Sequence, residues 1–260
     1  STDAAAEILQ KLGGPVVKVS SPTVAELCKL VDNLYRAINI SFANEIGLVC
    51  EAAGIDAAEV VSAVNTSYKR TSIFTPGLGA DGPCLSKDPQ IFSYFAQQNN
   101  FETNLADVAI KENEKATLRV ADIVKKFAAE KKLANPKIAF AGLAFKGFPQ
   151  TDDQRGSPAI KIHSKLKKEL GGFEVSSFDP LIKTFEGQKT QPDFVSCIKG
   201  ANIVLFLTNH KIISNVDPKM ILKHAAKPLL VVDCWHNVLE PKILRDTANV
   251  SFFRVGDGSK

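Results

Sequence analysis

The sequence predicts an α/β protein in which a mostly helical region precedes a doubly wound parallel sheet. Two observations carry this. Between residues 20 and 133 apolar residues recur at helical spacing, in runs far longer than any strand. From Lys137 the pattern changes to short continuous apolar runs, such as 201–207, alternating with helical segments. Such runs are buried on both faces, as strands of a helix-covered parallel sheet are.

The elements follow in order. Residues 3–12 read as a helix and 15–19 as a short strand, though neither has a sheet within reach. Ser21 or Thr23 caps a long helix to about Ala53, with Pro22 in the first turn, where its missing N–H costs nothing. Gly54 ends it, because glycine readily takes the left-handed conformation that closes a helix. Asp56 caps a second helix to Val64, and a loop then runs from Asn65 to Cys84. Helices follow at 88–98 and 103–133, the latter closed by Asn135-Pro136. Strands are expected at 137–142, 173–178, 201–207, 229–233 and 250–255, with helices at 158–170, 191–198 and 217–225. The domains are accordingly drawn as 1–19, the tail of a domain whose body is absent, 20–135 and 136–260.

At 260 residues and 45% hydrophobic, the chain can bury one large core or two ordinary ones. A net charge of +4 is spread along the sequence, and paired lysines such as Lys125-Lys126 fall on solvated helical faces. No basic stripe interleaved with aromatics points to nucleic acid, and no apolar run reaches membrane-spanning length. Five cysteines, odd in number and without metal-ligand spacing, fit a reducing, cytoplasmic compartment and no metal site.

Residues 76–89, Pro-Gly-Leu-Gly-Ala-Asp-Gly-Pro-Cys-Leu-Ser-Lys-Asp-Pro, hold the densest chemistry. Cys84 sits where a glycine-rich loop enters a helix, with Lys87 and Asp88 close behind. Free backbone N–H groups and a cation both favour a thiolate. Asp88 is suited to orient or deprotonate water. Gly77, Gly79 and Gly82 spell G-x-G-x-x-G, but a dinucleotide fingerprint needs a strand leading directly into a helix. Pro76, Pro83 and Pro89 deny that context, so the glycines are read as letting backbone approach a ligand.

Lys29 and Asn33 share one face of the long helix, with Arg36 close by. Two readings are open. One is a rim stripe in water; the other is a polar cavity where Lys29 stabilises an oxyanion and Asn33 bonds a carbonyl or water. Asn44-Glu45 reads as a structural pair bonding nearby backbone. The four histidines form no cluster and read as surface or packed residues. After the first strand, Lys146 and Arg155 bracket a crevice at the carboxyl edge of the sheet, which suits phosphates or an anionic sugar nucleotide. Mutual pairing of Asp152, Asp153 and Arg155 on a surface loop is the other reading.

Together these blocks resemble the UDP-glucose/GDP-mannose dehydrogenase family, nucleotide-sugar 6-dehydrogenases of UDP-glucose or UDP-N-acetylhexosamine type. Ala25-Glu-Leu-Cys-Lys-Leu-Val-Asp-Asn33 resembles its central-helix motif, with Asn44-Glu45 and Gly54-Ile-Asp56 following. Residues 76–88 resemble its segment before the nucleophile. Phe145-Lys146 with Asp153, Arg155 and Ser157-Pro158 resembles its third-domain motif.

The resemblance implies a central dimerisation domain at 20–135, a Rossmann-like sugar-nucleotide-binding domain at 136–260, and at 1–19 the remnant of an NAD-binding domain. It implies NAD, bound mainly by that absent domain, a UDP-sugar substrate and a homodimer; the fragment alone is expected to be inactive. The implied reaction oxidises the C6 hydroxymethyl to a carboxylate in two hydride transfers, through a thiohemiacetal and a thioester on Cys84. The product is a uronic acid of the kind used in polysaccharide biosynthesis. By the same resemblance Cys84, Lys29, Asn33 and Asp88 are catalytic. Gly77, Leu78, Gly79, Gly82, Phe145, Lys146 and Arg70 contact substrate, Arg70 across the dimer, and Lys87 and Arg155 meet the cofactor. A truncated, non-catalytic dimerisation and sugar-nucleotide-binding module is the alternative. Two departures stand out within the matched region. Asp81 replaces an expected glycine and puts a charge into the substrate loop, and residues 233–237, Asp-Cys-Trp-His-Asn, stand where many members carry an arginine.

Overall fold

A computed structural model describes residues 2–67 and 70–258. Helix α1 (Thr2–Gln10) is followed at 15–19 by irregular chain in place of the expected strand, and among the described residues it joins no sheet, as expected. A strand needs a neighbour to satisfy its N–H and C=O groups.

Helix α2 (Pro22–Ala53) is 32 residues long, about 48 Å at 1.5 Å per residue. Ser21 is its cap: the Oγ accepts from the Val24 amide at 3.3 Å. Gly54, at φ +75°, returns its N–H to the Cys50 and Glu51 carbonyls and ends the helix. Asp56 caps the next helix through Ala58 N–H (2.8 Å), and α3 (Ala57–Ser67) outlasts the expected end at Val64. Residues 68–69 of the expected loop lie outside the described residues. Two short steps, α4 (Gly82–Leu85) and α5 (Asp88–Gln98), lead to α6 (Leu105–Glu130).

The second half holds β1 (Lys137–Ala141), α7 (Pro158–Glu169), β2 (Glu174–Phe178) and a small hairpin, β3 (Thr184–Phe185) with β4 (Gln188–Lys189). It continues with α8 (Phe194–Ile198), β5 (Ile203–Phe206), α9 (Pro218–His224), β6 (Leu229–Asp233), α10 (Lys242–Arg245) and β7 (Val250–Arg254). The five main strands are all parallel in the order β2-β1-β5-β6-β7, so the strand order reverses between β1 and β5. Ligands of doubly wound sheets sit outside the carboxyl ends of the strands at such a reversal.

Alternate residues of these strands enter two cores. Ile138, Phe140, Ile203 and Leu205 face α6 and α7, while Ala139, Val204, Phe206 and Val231 face α8 and α9. Helix α6 thus serves both halves: Val120, Val124 and Phe127 near its end share the core of the sheet, while Ala109 and Asn113 lie against α2. Of α2, Asn33, Leu34, Ala37, Ser41 and Asn44 are buried. Val24, Val31, Tyr35, Phe42 and Val49 lie exposed, at largely seven-residue spacing.

Candidate active site

The residues expected to be catalytic converge around Asp88. Its side chain is only 3% exposed, at the start of α5. One carboxylate oxygen accepts from Lys29 Nζ (3.0 Å) and Asn33 Nδ2 (2.5 Å), one helical turn apart on α2; the other accepts from Lys87 Nζ (2.6 Å). Burial alone would raise the Asp88 pKa, but the bonds from Lys87, Lys29 and Asn33 outweigh it and hold the carboxyl at about 2. The bond to Asp88 raises the Lys87 pKa in turn. On this face Asn33 is buried, whereas Lys29 stays 58% exposed at the rim.

Cys84 is exposed in the middle of α4, and its carbonyl accepts from the Lys87 amide at 3.1 Å. Lys87 and Arg155 both lie within electrostatic reach of its sulfur. Cys197 and Cys234 are buried instead, and burial raises both thiol pKa values, Cys197 to about 12.

The glycine-rich loop is clamped along its length by its own chain. Asn44 Oδ1 accepts from the Gly77 amide (2.8 Å) and its Nδ2 reaches the Leu78 carbonyl (3.4 Å). The Asn44 side chain does bond backbone, as expected, but backbone 33 residues away rather than nearby. Leu78 points into the core. A Cβ at Gly79 would stand 1.8 Å from the Asn113 carbonyl oxygen, and one at Gly82 (φ +93°) would stand 2.4 Å from the Phe145 ring. In this structure those two glycines let α6 and Phe145 come close.

The charge that Asp81 brings into the loop is buried and paired: its side chain is 3% exposed and bonded to Lys161 of α7. Thr117 Oγ1 also donates to it at 2.9 Å. Burial raises its pKa, partly offset by Lys161 and Thr117.

On the sheet side, Phe145 N–H donates to the Asp153 carbonyl (3.1 Å), and Lys146 Nζ lies 5.3 Å over the Phe145 ring. Arg155 is held by Asp153 in a fork, Nε to Oδ1 at 3.0 Å and Nη2 to Oδ2 at 2.7 Å. The surface-loop pairing is therefore present, and Arg155 must share or release Asp153 to meet an anion. Gly82 N–H donates to the Gly156 carbonyl (3.2 Å), which joins this loop to the turn bearing Cys84. Arg70 lies on an exposed turn after α3.

Three contributors escaped the sequence reading. Asn113 and Thr117 hold the Ala80 and Gly79 amides (2.8 and 3.2 Å). Their signal was two polar residues at helical spacing on the buried face of α6. The third is Arg254, which pairs at 2.9 Å with fully buried Asp233 in the segment lacking the expected arginine. There the Trp235 indole N–H donates to the Leu207 carbonyl (3.1 Å), and its ring lies against Gly77.

Both halves of this architecture match one family. Residues 23–115 match the central domain of the UDP-glucose/GDP-mannose dehydrogenase family and residues 139–241 its UDP binding domain, and the chain belongs to that family. Among curated relatives, UDP-N-acetyl-D-mannosamine dehydrogenase of Methanocaldococcus jannaschii is 31% identical over 250 residues, 96% of this chain and 53% of the relative. The enzyme of that name from Yersinia pestis is 34% identical over 220 residues, 81% of this chain and 50% of the relative. The solved UDP-D-ManNAc dehydrogenase of Pyrococcus horikoshii superposes with a TM-score of 0.81 at 26% identity, covering 100% of this chain and 58% of that one. The chain thus spans about half the length of the curated relatives it matches. Among the described residues no helix is long and apolar enough to cross a membrane.

Proposed function

We propose that this chain is the central and UDP-binding part, drawn at 20–135 and 136–260, of an NAD-dependent UDP-sugar 6-dehydrogenase. Its substrate class is a UDP-N-acetylhexosamine. The observation that carries this is the Asp88 network, which sets a carboxylate, two lysines and an asparagine beside an exposed thiol. The relatives' names support the substrate class.

The chemistry then falls to this chain's side chains. Cys84 Sγ adds to the C6 aldehyde carbon, and Lys29, a rim cation, stabilises the oxyanion that forms. At the thioester level the same sulfur is a good leaving group, expelled when water attacks to give the carboxylate. Asp88, ionised at neutral pH and fixed by Asn33, orients that water, whose proton passes on to solvent. NAD supplies, when bound, the acceptor for hydride from C6. Lys87 and Arg155, exposed cations beside Cys84, fit its anionic groups.

Phe145 and Lys146, at the strand-order reversal, take the sugar nucleotide together with the loop at 77–82; Arg70 reaches a partner's substrate. The exposed stripe of Val31, Tyr35, Phe42 and Val49 supports a homodimer built on α2. Five free thiols suit a reducing, cytoplasmic setting. The test is turnover of the full-length protein with Cys84→Ser. Loss of carboxylate production supports the reading, and retention of kcat overturns it.

A further inference from the structure

The turn bearing Cys84 is packed against α6 and Phe145 and is also held by polar ties. Residues 79 to 82 each carry at least one: Gly79 to Thr117, Ala80 to Asn113, Asp81 to both Lys161 and Thr117, and Gly82 to Gly156. Beside α4 lies a partly open pocket of about 170 Å³, lined by Ala37, Ala80, Leu85, Ser86, Ile110 and Lys161 among others. Asp81 stands at the position that ordinarily caps a helix, yet its carboxylate makes no capping bond to α4. It turns instead to Lys161, one turn into the helix that follows Arg155 and Gly156. This is the only charge pair among these five ties, and it spans from the Cys84 loop to the sheet half of the molecule.

We propose that Asp81 and Lys161 are positioning residues for Cys84, a latch that makes the placement of the thiol depend on how α7 is seated. Neither touches the reacting atoms. Asp81 is the buried partner, 3% exposed against 31% for Lys161, so loss of Lys161 strands a buried charge and reorganises residues 79–84, loss of Asp81 frees the loop from α7, and loss of both leaves nothing to compensate. The inference rests on the reading of Cys84 as the nucleophile.

The experiment is competitive alkylation of the 260-residue chain with iodoacetamide, Cys84 and Cys28 peptides being quantified by mass spectrometry. Cys28 is also exposed and serves as the internal reference. Asp81→Asn and Lys161→Met should each change the Cys84-to-Cys28 rate ratio by about threefold or more, and the double variant should return towards the parent. Ratios unchanged in both single variants, or effects that simply add in the double variant, would overturn the latch. If a single variant does not fold, Lys161→Gln, which leaves Asp81 a hydrogen-bond donor while removing the cation, should shift the ratio in its place; no shift overturns the proposal equally. Alkylation reports the setting of the thiol without turnover, so this result stands apart from the Cys84→Ser assay, which alone decides the nucleophile reading.

Discussion

Replacing Asp88 with asparagine removes the charge that Lys29, Lys87 and Asn33 all address. The carboxyl is held at about 2 against an ordinary 3.8. At about 1.4 kcal/mol per unit, its ionisation contributes about 2.5 kcal/mol to folding at neutral pH. The folded pKa lies below the unfolded one, so this stability is complete above about pH 5 and lost as pH falls towards 2; about half remains at pH 3. Lys29 and Lys87 are each 58% exposed and recover hydration in the variant, so no stranded buried cation adds to the cost. Chemical denaturation followed by far-UV circular dichroism should show Asp88→Asn about 2 to 3 kcal/mol less stable than the parent at pH 7 and about 1 kcal/mol less stable at pH 3. Equal stability at pH 7, or a gap undiminished at pH 3, would refute the network as the source of the shift.

Other expectations follow from the same contacts. Gly79→Ala drives a methyl group into the Asn113 backbone carbonyl and should cost about 1 to 3 kcal/mol in denaturant titrations or prevent folding, whereas a parent-like midpoint would remove the close approach to α6. Arg254→Met leaves the Asp233 carboxylate buried without its cation; a loss of about 3 to 5 kcal/mol is expected, and a loss below about 1 would show the pair to be dispensable. Under the proposed dimer, Tyr35→Glu with Phe42→Glu should turn a dimer into a monomer by light scattering, and an unchanged mass would move the interface off this face of α2.

What the sequence made legible was local. Ser21 and Gly54 bound α2 as their chemistry requires, and the strands of continuous apolar residues became the centre of the parallel sheet. Cys84, Lys87 and Asp88 lie within five residues of one another, and Lys29 and Asn33 are one helical turn apart, so each group was legible by itself, whereas their meeting at Asp88 spans more than 50 residues. What stayed hidden depends on contacts between distant segments. Nothing in the glycines at 77–82 says that Asn44, Asn113 and Thr117 hold their backbone, because those donors and acceptors arrive from α2 and α6. Asp81 looked like a stray charge because Lys161 lies 80 residues on. The segment at 15–19 was over-read as a strand because three valines in five residues favour strand only where a neighbouring strand is present.

The central claim is that the sulfur of Cys84 carries the sugar carbon during turnover. The most direct measurement is acid quenching of the full-length protein, bearing Asp88→Asn to slow hydrolysis, with NAD and UDP-N-acetyl-D-mannosamine, followed by peptide mass mapping. The account predicts a sugar-nucleotide acyl adduct on the Cys84 peptide and none on that of Cys28. Carboxylate formation with Cys84 unmodified at every quench time would contradict it.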